Sequence, residues 1–303
     1  MLSCEMTHPR TIRPGRFANL GLRLLGAAAL AGNKLRYAVG GYRRARHFAP
    51  RDADRAIGYG LSVAGGWERL LREYRPGEEP FAGRRILELG PGPDLAAALA
   101  LLARGAAGCT AFDAHRLADP ADALHDQLLA RLGDPPEPRR QLDALRAARP
   151  DRLRYVCRGD FNLLAAGLEP ADLVVSQAAM EHFDHPAAVL RQLATLAAPG
   201  ARLLAVVDLK THSRPLARLD PLNLYRHGDG WYRACAYRGQ PNRVRPGEYR
   251  RFLADAGWTD IRLLPLAELD AGYVQAVRPR LARRFRDDET LAWSTVALLA
   301  ARP

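Results

Sequence analysis

The sequence predicts an α/β fold, a mostly parallel sheet with helices on both faces. Three observations predict it. From Arg84 to Val207, short runs rich in Val, Leu and Ile alternate with helical patterns, as strands buried on both faces do. The first run, inside Arg84–Asp94 (R-R-I-L-E-L-G-P-G-P-D), closes on two glycines before an alanine-leucine helix pattern. Such a junction offers bare backbone N–H groups to a ligand. Finally, Gly90, Asp113, Asp160, Ser176 and Asp208 fall at five successive strand ends, the edge where parallel sheets bind ligands.

The totals bound the reading. A chain of 303 residues can bury a large core as one domain with insertions. With 48% hydrophobic and 26% charged residues, its composition is that of an ordinary soluble domain. The net charge of +12 is not ordinary, yet only Lys34 and Lys210 are lysines, leaving 45 − 2 = 43 arginines. With the Ala, Leu and Pro richness this reads as compositional bias, and the charge is discounted as evidence for nucleic acid. Cys4, Cys109, Cys157 and Cys235 form no C-x-x-C pair. That argues against a zinc site or a disulfide framework and for reduced thiols in a cytoplasm. No metal site is expected.

Residues 1–80 read as a helical N-terminal extension. Residues 1–50 hold nine basic residues against Glu5. Ala18–Gly32 imitates a secretory signal, but it is too short to span a bilayer and Arg23 interrupts it. It is read as a helix packed on the domain, with a basic amphipathic surface open to peripheral membrane or partner contact. Asp52–Tyr74 has helical apolar spacing, while Gly58, Gly60, Gly65 and Gly66 suggest a loop or helix junction within it.

Residues 81–210 form the core. A helix over Asp94–Arg104 is expected, with Asp94 as N-cap and Gly105 as stop. Strands follow at Gly108–Phe112, Leu153–Cys157, Leu173–Val175 and Arg202–Val207. Residues 114–150 are an insertion of two helices broken at Pro135-Pro136, and Ala187–Leu196 is a further helix. Residues 211–257 change character: Thr211–Arg251 has nine arginines against three acids, interleaved with Tyr225, Trp231, Tyr232, Tyr237 and Tyr249. We read an inserted cap over the pocket, closed by a helix over Glu248–Gly257. Residues 258–303 supply two last strands, Ile261–Leu264 and Ser294–Ala300, with a basic helix over Val274–Arg286 between them.

The glycine turn discriminates among cofactors. A phosphate-binding Walker loop needs Gly-Lys-Ser/Thr where Pro93-Asp94-Leu95 stands. A dinucleotide fold wants a third glycine at Leu95, and Asp94 would repel a pyrophosphate from the same helix terminus. A cationic ligand with a ribose and no phosphate remains.

Glu88-Leu89-Gly90-Pro91-Gly92, followed by Asp113, resembles the Rossmann-like, class I S-adenosylmethionine-dependent methyltransferases. Ser176-Gln177-Ala178-Ala179-Met180-Glu181-His182 resembles that family's segment after its fourth strand. Pro199-Gly200-Ala201-Arg202-Leu203 resembles its turn into strand five. The resemblance covers Arg84–Val207. It implies a doubly wound, mostly parallel seven-stranded sheet and S-adenosyl-L-methionine as cofactor. It also implies that the turn at Glu88, Gly90, Pro91 and Gly92 passes the amino-acid part, and that Asp113 holds the ribose hydroxyls. Asp160 and Phe161 then lie at the adenine, with Ser176 and Gln177 after strand four.

A sulfonium donor is already activated, so the enzyme chiefly aligns the acceptor with the methyl group. A base helps where the acceptor keeps its proton. His182 and His212, just past strands four and five, are the candidates, and Asp208 could orient a histidine or the acceptor. The arginine-aromatic cap suggests an acidic acceptor, and Asn242–Tyr249 looks like caps of bacterial methyltransferases of secondary metabolism and glycoconjugates. The expected activity is therefore metal-independent, cytoplasmic methylation of a small molecule or glycoconjugate at oxygen. The rivals are a nucleic-acid (rRNA or tRNA) methyltransferase, resting on charge alone, and a non-catalytic cofactor-binding scaffold. Ser176-Gln177-Ala178-Ala179 lacks the Asn/Asp-Pro-Pro-Tyr/Phe motif of DNA amino-methylating enzymes.

Overall fold

A computed structural model describes residues 15–41 and 52–303. Cys4, His8, His47 and the basic stretches around them lie outside the described residues. Helices α1 (Arg16–Gly40) and α2 (Ala53–Tyr74) precede the sheet. Then come β1 (Arg85–Leu89), α3 (Ala96–Ala103), β2 (Gly108–Asp113) and the inserted pair α4 (Leu124–Arg131) and α5 (Pro136–Arg146). The parallel part is completed by β3 (Leu153–Cys157), β4 (Ala171–Gln177), α6 (Pro186–Leu196) and β5 (Ala197–Asp208). The segment between β5 and β6, named the cap for its place in the chain, carries α7 (Arg214–Leu219), α8 (Asp229–Ala234) and α9 (Pro246–Asp255). The chain closes with β6 (Thr259–Glu268), α10 (Ala271–Val277) and β7 (Trp293–Ala301).

The seven strands lie in the order β3-β2-β1-β4-β5-β7-β6, with β7 antiparallel to both neighbours and the remaining pairs parallel. This is the expected doubly wound sheet. Its order reverses between β1 and β4, so the crevice for a ligand lies at the carboxyl ends of those two strands.

The helix after the glycine turn starts two residues later than expected. Asp94 still caps it from outside: its Oδ1 accepts the Ala96 N–H at 3.0 Å, while the Leu95 N–H donates to His125 Nε2 at 3.0 Å. Two otherwise free donors are thereby satisfied. α3 itself is apolar all round, and Ala96–Leu102 are buried on every side, between the sheet, α2 and the inserted pair.

Three expectations are corrected. The glycine-rich stretch is one continuous helix, α2, not a junction. A Cβ on Gly60 would stand 2.5 Å from the Ala96 Cβ, so glycine lets α2 lie directly on the start of α3. The helix expected over Val274–Arg286 ends at Val277, where Pro279 breaks it into two 3-10 turns, Arg278–Arg280 and Arg283–Phe285. Third, part of the arginine-rich cap faces inward. Arg226, Arg243 and Arg245 are buried, held respectively by Asp220, Asp229 and Asp288. Charge in the sequence does not distinguish an arginine awaiting a ligand from one already paired.

The cap has a core of its own. Leu222, Leu224 and Tyr225 pack with Leu30 of α1, with Tyr273, Val274 and Val277 of α10, and with Phe285 and Leu291. At its centre the Asp220 carboxylate accepts Arg226 Nε at 2.6 Å, Asn223 Nδ2 at 2.8 Å and the Tyr273 hydroxyl at 2.5 Å. Arg226 also donates to Asn19 Oδ1 of α1 at 2.9 Å. The extension, the cap and the β6–β7 connection therefore meet on one buried ion pair. Asp220→Ala leaves Arg226 buried and uncompensated, which costs about 3–5 kcal/mol. Urea unfolding should show a matching fall in midpoint; an unchanged midpoint would mean that the pair does not hold the cap.

Candidate functional site

The carboxyl edge of β1 and β4 is built around one close approach. Gly90 has φ +69°, and its N–H donates to the Phe112 carbonyl at 2.8 Å. A Cβ there would stand 2.5 Å from the Ala179 Cβ. Glycine is required on both counts, and its absent side chain lets the turn after β1 touch the loop after β4. Gly92 also has positive φ, +76°.

Three carboxyl groups gather around this turn. Glu88 is buried, and its Oε2 has no hydrogen-bond partner among the described residues. Burial, then the charges of Asp94 and Asp113, push its pKa up to about 8. Burial also raises Asp113, against the pull of backbone N–H groups of His115, Gly92 and Ala114; the His115 N–H donates to its Oδ1 at 3.0 Å. Asp113 thus links the end of β2 to the glycine turn. An acidic turn of this kind suits a cation and opposes a pyrophosphate.

The other expected residues divide. Phe161, at φ +50°, sets its ring edge-on to Phe112 at 5.0 Å and lies 4.7 Å from Phe183. Asp160 is exposed and paired with Arg158 at 2.7 Å, which, with the Asn162 N–H, holds its carboxyl down at about 2. Ser176 is fully buried and donates its hydroxyl to the Leu89 carbonyl at 3.2 Å. It ties β4 to β1 beneath the turn and has no surface left for a cofactor, contrary to expectation. Gln177 is half-buried at the end of β4.

Past β4, a 3-10 turn over Met180–His182 carries the histidine. The cap clamps it: Asn242 Nδ2 donates to the carbonyls of Met180 at 3.0 Å and Phe183 at 3.2 Å, and the Tyr249 hydroxyl to Met180 at 3.3 Å. His182 Nδ1 meets the Gly239 carbonyl at 2.9 Å. Past β5, Asp208 accepts the Lys210 N–H at 2.9 Å, making a tight turn that sends His212 back towards β4. Asp208 here shapes the turn, and His212 Nδ1 meets the Lys210 carbonyl at 2.9 Å.

The two rings lie 4.9 Å apart, edge to face, and His212 Nε2 is 3.8 Å from Glu181 Oε1. Burial, then the His212 ring, lowers the His182 pKa against the pull of Glu181. For His212, burial is outweighed by Glu181, Asp208 and the Lys210 carbonyl, and its pKa is raised. Two residues of this group escaped sequence reasoning. Glu181 belongs to the segment that carries the resemblance after strand four, but nothing in the sequence gives it a role of its own. Tyr59, on α2, is 44% exposed, yet its pKa is raised by partial desolvation and then by the charges of Glu181, Asp94 and Asp208, so it stands within their field. Nothing in its local sequence signals this.

A doubly wound α/β sheet with an acidic glycine turn and a titratable cluster across the switch point defines a cofactor-dependent enzyme. A family model described as "Methyltransferase domain" matches residues 60–263, about two thirds of the chain. The chain belongs to this family and is an S-adenosylmethionine-dependent methyltransferase. Similar solved structures include the CurJ carbon methyltransferase, at 15% identity over 94% of this chain and 68% of that one, with TM-score 0.47. An S-adenosylmethionine-dependent methyltransferase from Mesorhizobium loti is 18% identical over 80% of this chain and 100% of that one, TM-score 0.43. The plantazolicin methyltransferase BamL is 11% identical over 93% and 98%, TM-score 0.45. The curated proteins searched include no match.

The Glu88 shift has a measurable consequence. An ordinary glutamate loses its proton near 4.5, whereas folded Glu88 keeps it to about 8. The folded chain therefore binds the extra proton between those values, and stability falls as pH rises through that window. Denaturation at pH 5 and pH 8 should show this component in the native chain and not in Glu88→Gln. An identical pH dependence in both would mean that Glu88 is ionised in the fold.

Proposed function

We propose that the chain methylates an oxygen of a small molecule or glycoconjugate seated between the glycine turn and the cap. The observation that carries this reading is the contact of Gly90 with Ala179. Ala179 stands two residues before Glu181 and three before His182, so the turn assigned to the donor adjoins the group assigned to the acceptor. Asp113 takes the ribose hydroxyls, through charge-assisted hydrogen bonds. Glu88, Gly90, Pro91 and Gly92 border the amino-acid part of the cofactor, with Asp160, Phe161 and Gln177 towards the adenine. Glu181, His182 and His212 promote loss of the acceptor's proton, and Asp208 positions His212 through its turn. The buried pairing of Arg226, Arg243 and Arg245 removes much of the support for an acidic acceptor, so no charge is assigned to it. Residues 211–257 act as the cap.

Asp113→Ala should abolish binding of S-adenosylmethionine and S-adenosylhomocysteine in a calorimetric titration. His212→Ala should leave that affinity nearly intact and slow turnover by roughly 100-fold or more. Retained cofactor binding in the first variant, or lost cofactor binding in the second, would overturn the assignment.

A peripheral membrane contact through α1 also has support. One face of α1 docks on the cap through Asn19, Gly26 and Leu30, while Phe17, Leu20, Leu24, Leu35 and Val39 are exposed on the opposite face. The helix contains basic residues and no acid, which favours an anionic lipid surface over a neutral one. No helix among the described residues is long and apolar enough to cross a membrane. The chain should sediment with anionic vesicles, and the triple change of Phe17, Leu24 and Leu35 to Ser should release it. Sedimentation indifferent to these changes would exclude α1 as the contact.

A further inference from the structure

Glu181, His182 and His212 each bring one ligand atom to the same space, and these atoms lie within 4.8 Å of one another. Two properties set the group apart from a chance meeting of polar side chains. The Glu181 side chain is 3% exposed, and neither carboxylate oxygen has a hydrogen-bond partner among the described residues. A buried carboxylate without a donor is costly, and His212 Nε2, at 3.8 Å, is too far to serve as one.

The second property is the set of the rings. His182 Nδ1 faces the Gly239 carbonyl and His212 Nδ1 the Lys210 carbonyl, each at 2.9 Å. A carbonyl only accepts, so Nδ1 carries the proton in both rings and the lone pair of each neutral imidazole sits on Nε2. Histidines that bind metals are oriented in this way, by an N–H donated to a backbone carbonyl. The two carbonyls come from different places, one from the cap and one from the turn after β5. The orientation of the pair is therefore a product of the tertiary fold.

We propose that Glu181, His182 and His212 form a binding site for one divalent transition-metal ion. Two imidazoles and one carboxylate favour Zn²⁺, Co²⁺ or Fe²⁺ over Mg²⁺, which prefers oxygen donors throughout. Tetrahedral ligands at about 2.1 Å from one ion stand about 3.4 Å apart, so binding draws the three atoms, now within 4.8 Å of one another, closer together. Three protein ligands leave coordination positions open, as in metal sites that do chemistry rather than hold a fold.

The consequence for catalysis rests on the oxygen-acceptor reading. An acceptor hydroxyl bound to the ion is acidified and gives its proton to bulk water. Its oxygen then forms the new bond to the methyl carbon as the carbon–sulfur bond breaks. That electron pair stays on sulfur, giving the methyl ether and S-adenosylhomocysteine. The expectation of metal independence followed from the cysteine pattern, which says nothing about a site made of Glu and His.

The test uses the full chain after chelator treatment, titrated with Co²⁺ while calorimetry and visible absorption are followed. One equivalent should bind and develop the absorption of nitrogen-coordinated Co²⁺. Glu181→Gln and His212→Ala should each weaken binding by at least the roughly 10–100-fold that loss of a supporting group costs. His212, part-exposed on a turn, serves where Glu181→Gln does not fold. Absence of Co²⁺ binding, or binding unaffected in both variants, overturns the site. S-adenosylhomocysteine titrated into the same stripped sample reports separately on the cofactor site: if it binds and Co²⁺ does not, the metal fails and methyl transfer stands.

Discussion

The structure depends on one close approach, that of Gly90 to Ala179 at the switch point of the sheet. Where β1 and β4 diverge, a parallel sheet leaves a crevice, and here two backbone turns close its floor to contact distance. No residue with a side chain fits at Gly90, both for want of space and because of its positive φ. Ser176 supports the junction from below through the Leu89 carbonyl. From this contact follow the position of Glu181 and His182 relative to the glycine turn and the direction in which the chain leaves β4.

The second element of the design is the cap, which is anchored by buried charge. Asp220 and Arg226 form a buried ion pair that recruits α1 through Asn19 and α10 through Tyr273. Arg245 reaches across to Asp288 and the Thr290 carbonyl, and Arg243 stacks on Tyr232 at 4.0 Å. Interactions of this kind fix geometry more than they add net stability. Here they hold Asn242 and Gly239 against the Met180–His182 turn, so the packing of the cap sets the orientation of a side chain in the site.

Much of this was legible in the sequence, and the rest was hidden for identifiable reasons. Strand ends could be read because each apolar run stops at a glycine or a polar residue, and the Pro135-Pro136 break marked the inserted helices. The end of β2 at Asp113 could be read from the second apolar run. The continuity of α2 could not, because Gly60 answers to Ala96, a residue far along the chain, while Gly58, Gly65 and Gly66 sit in open space on the same helix. Nor could the inward turn of Arg226, Arg243 and Arg245, whose acids lie up to 43 residues away. Glu181 was visible as a residue and invisible as a site. Only the fold shows that its carboxylate is buried without a hydrogen-bond donor among the described residues and lies beside two imidazoles.

The central claim is that donor and acceptor meet across the Gly90–Ala179 contact. The most direct measurement is a crystal structure of the full chain with S-adenosylhomocysteine bound. The account predicts the ribose on Asp113, the amino-acid part along Gly90–Gly92, and the sulfur directed towards the space bordered by Glu181, His182 and His212. Cofactor bound away from that turn, or with its sulfur pointing away from those three side chains, would contradict it.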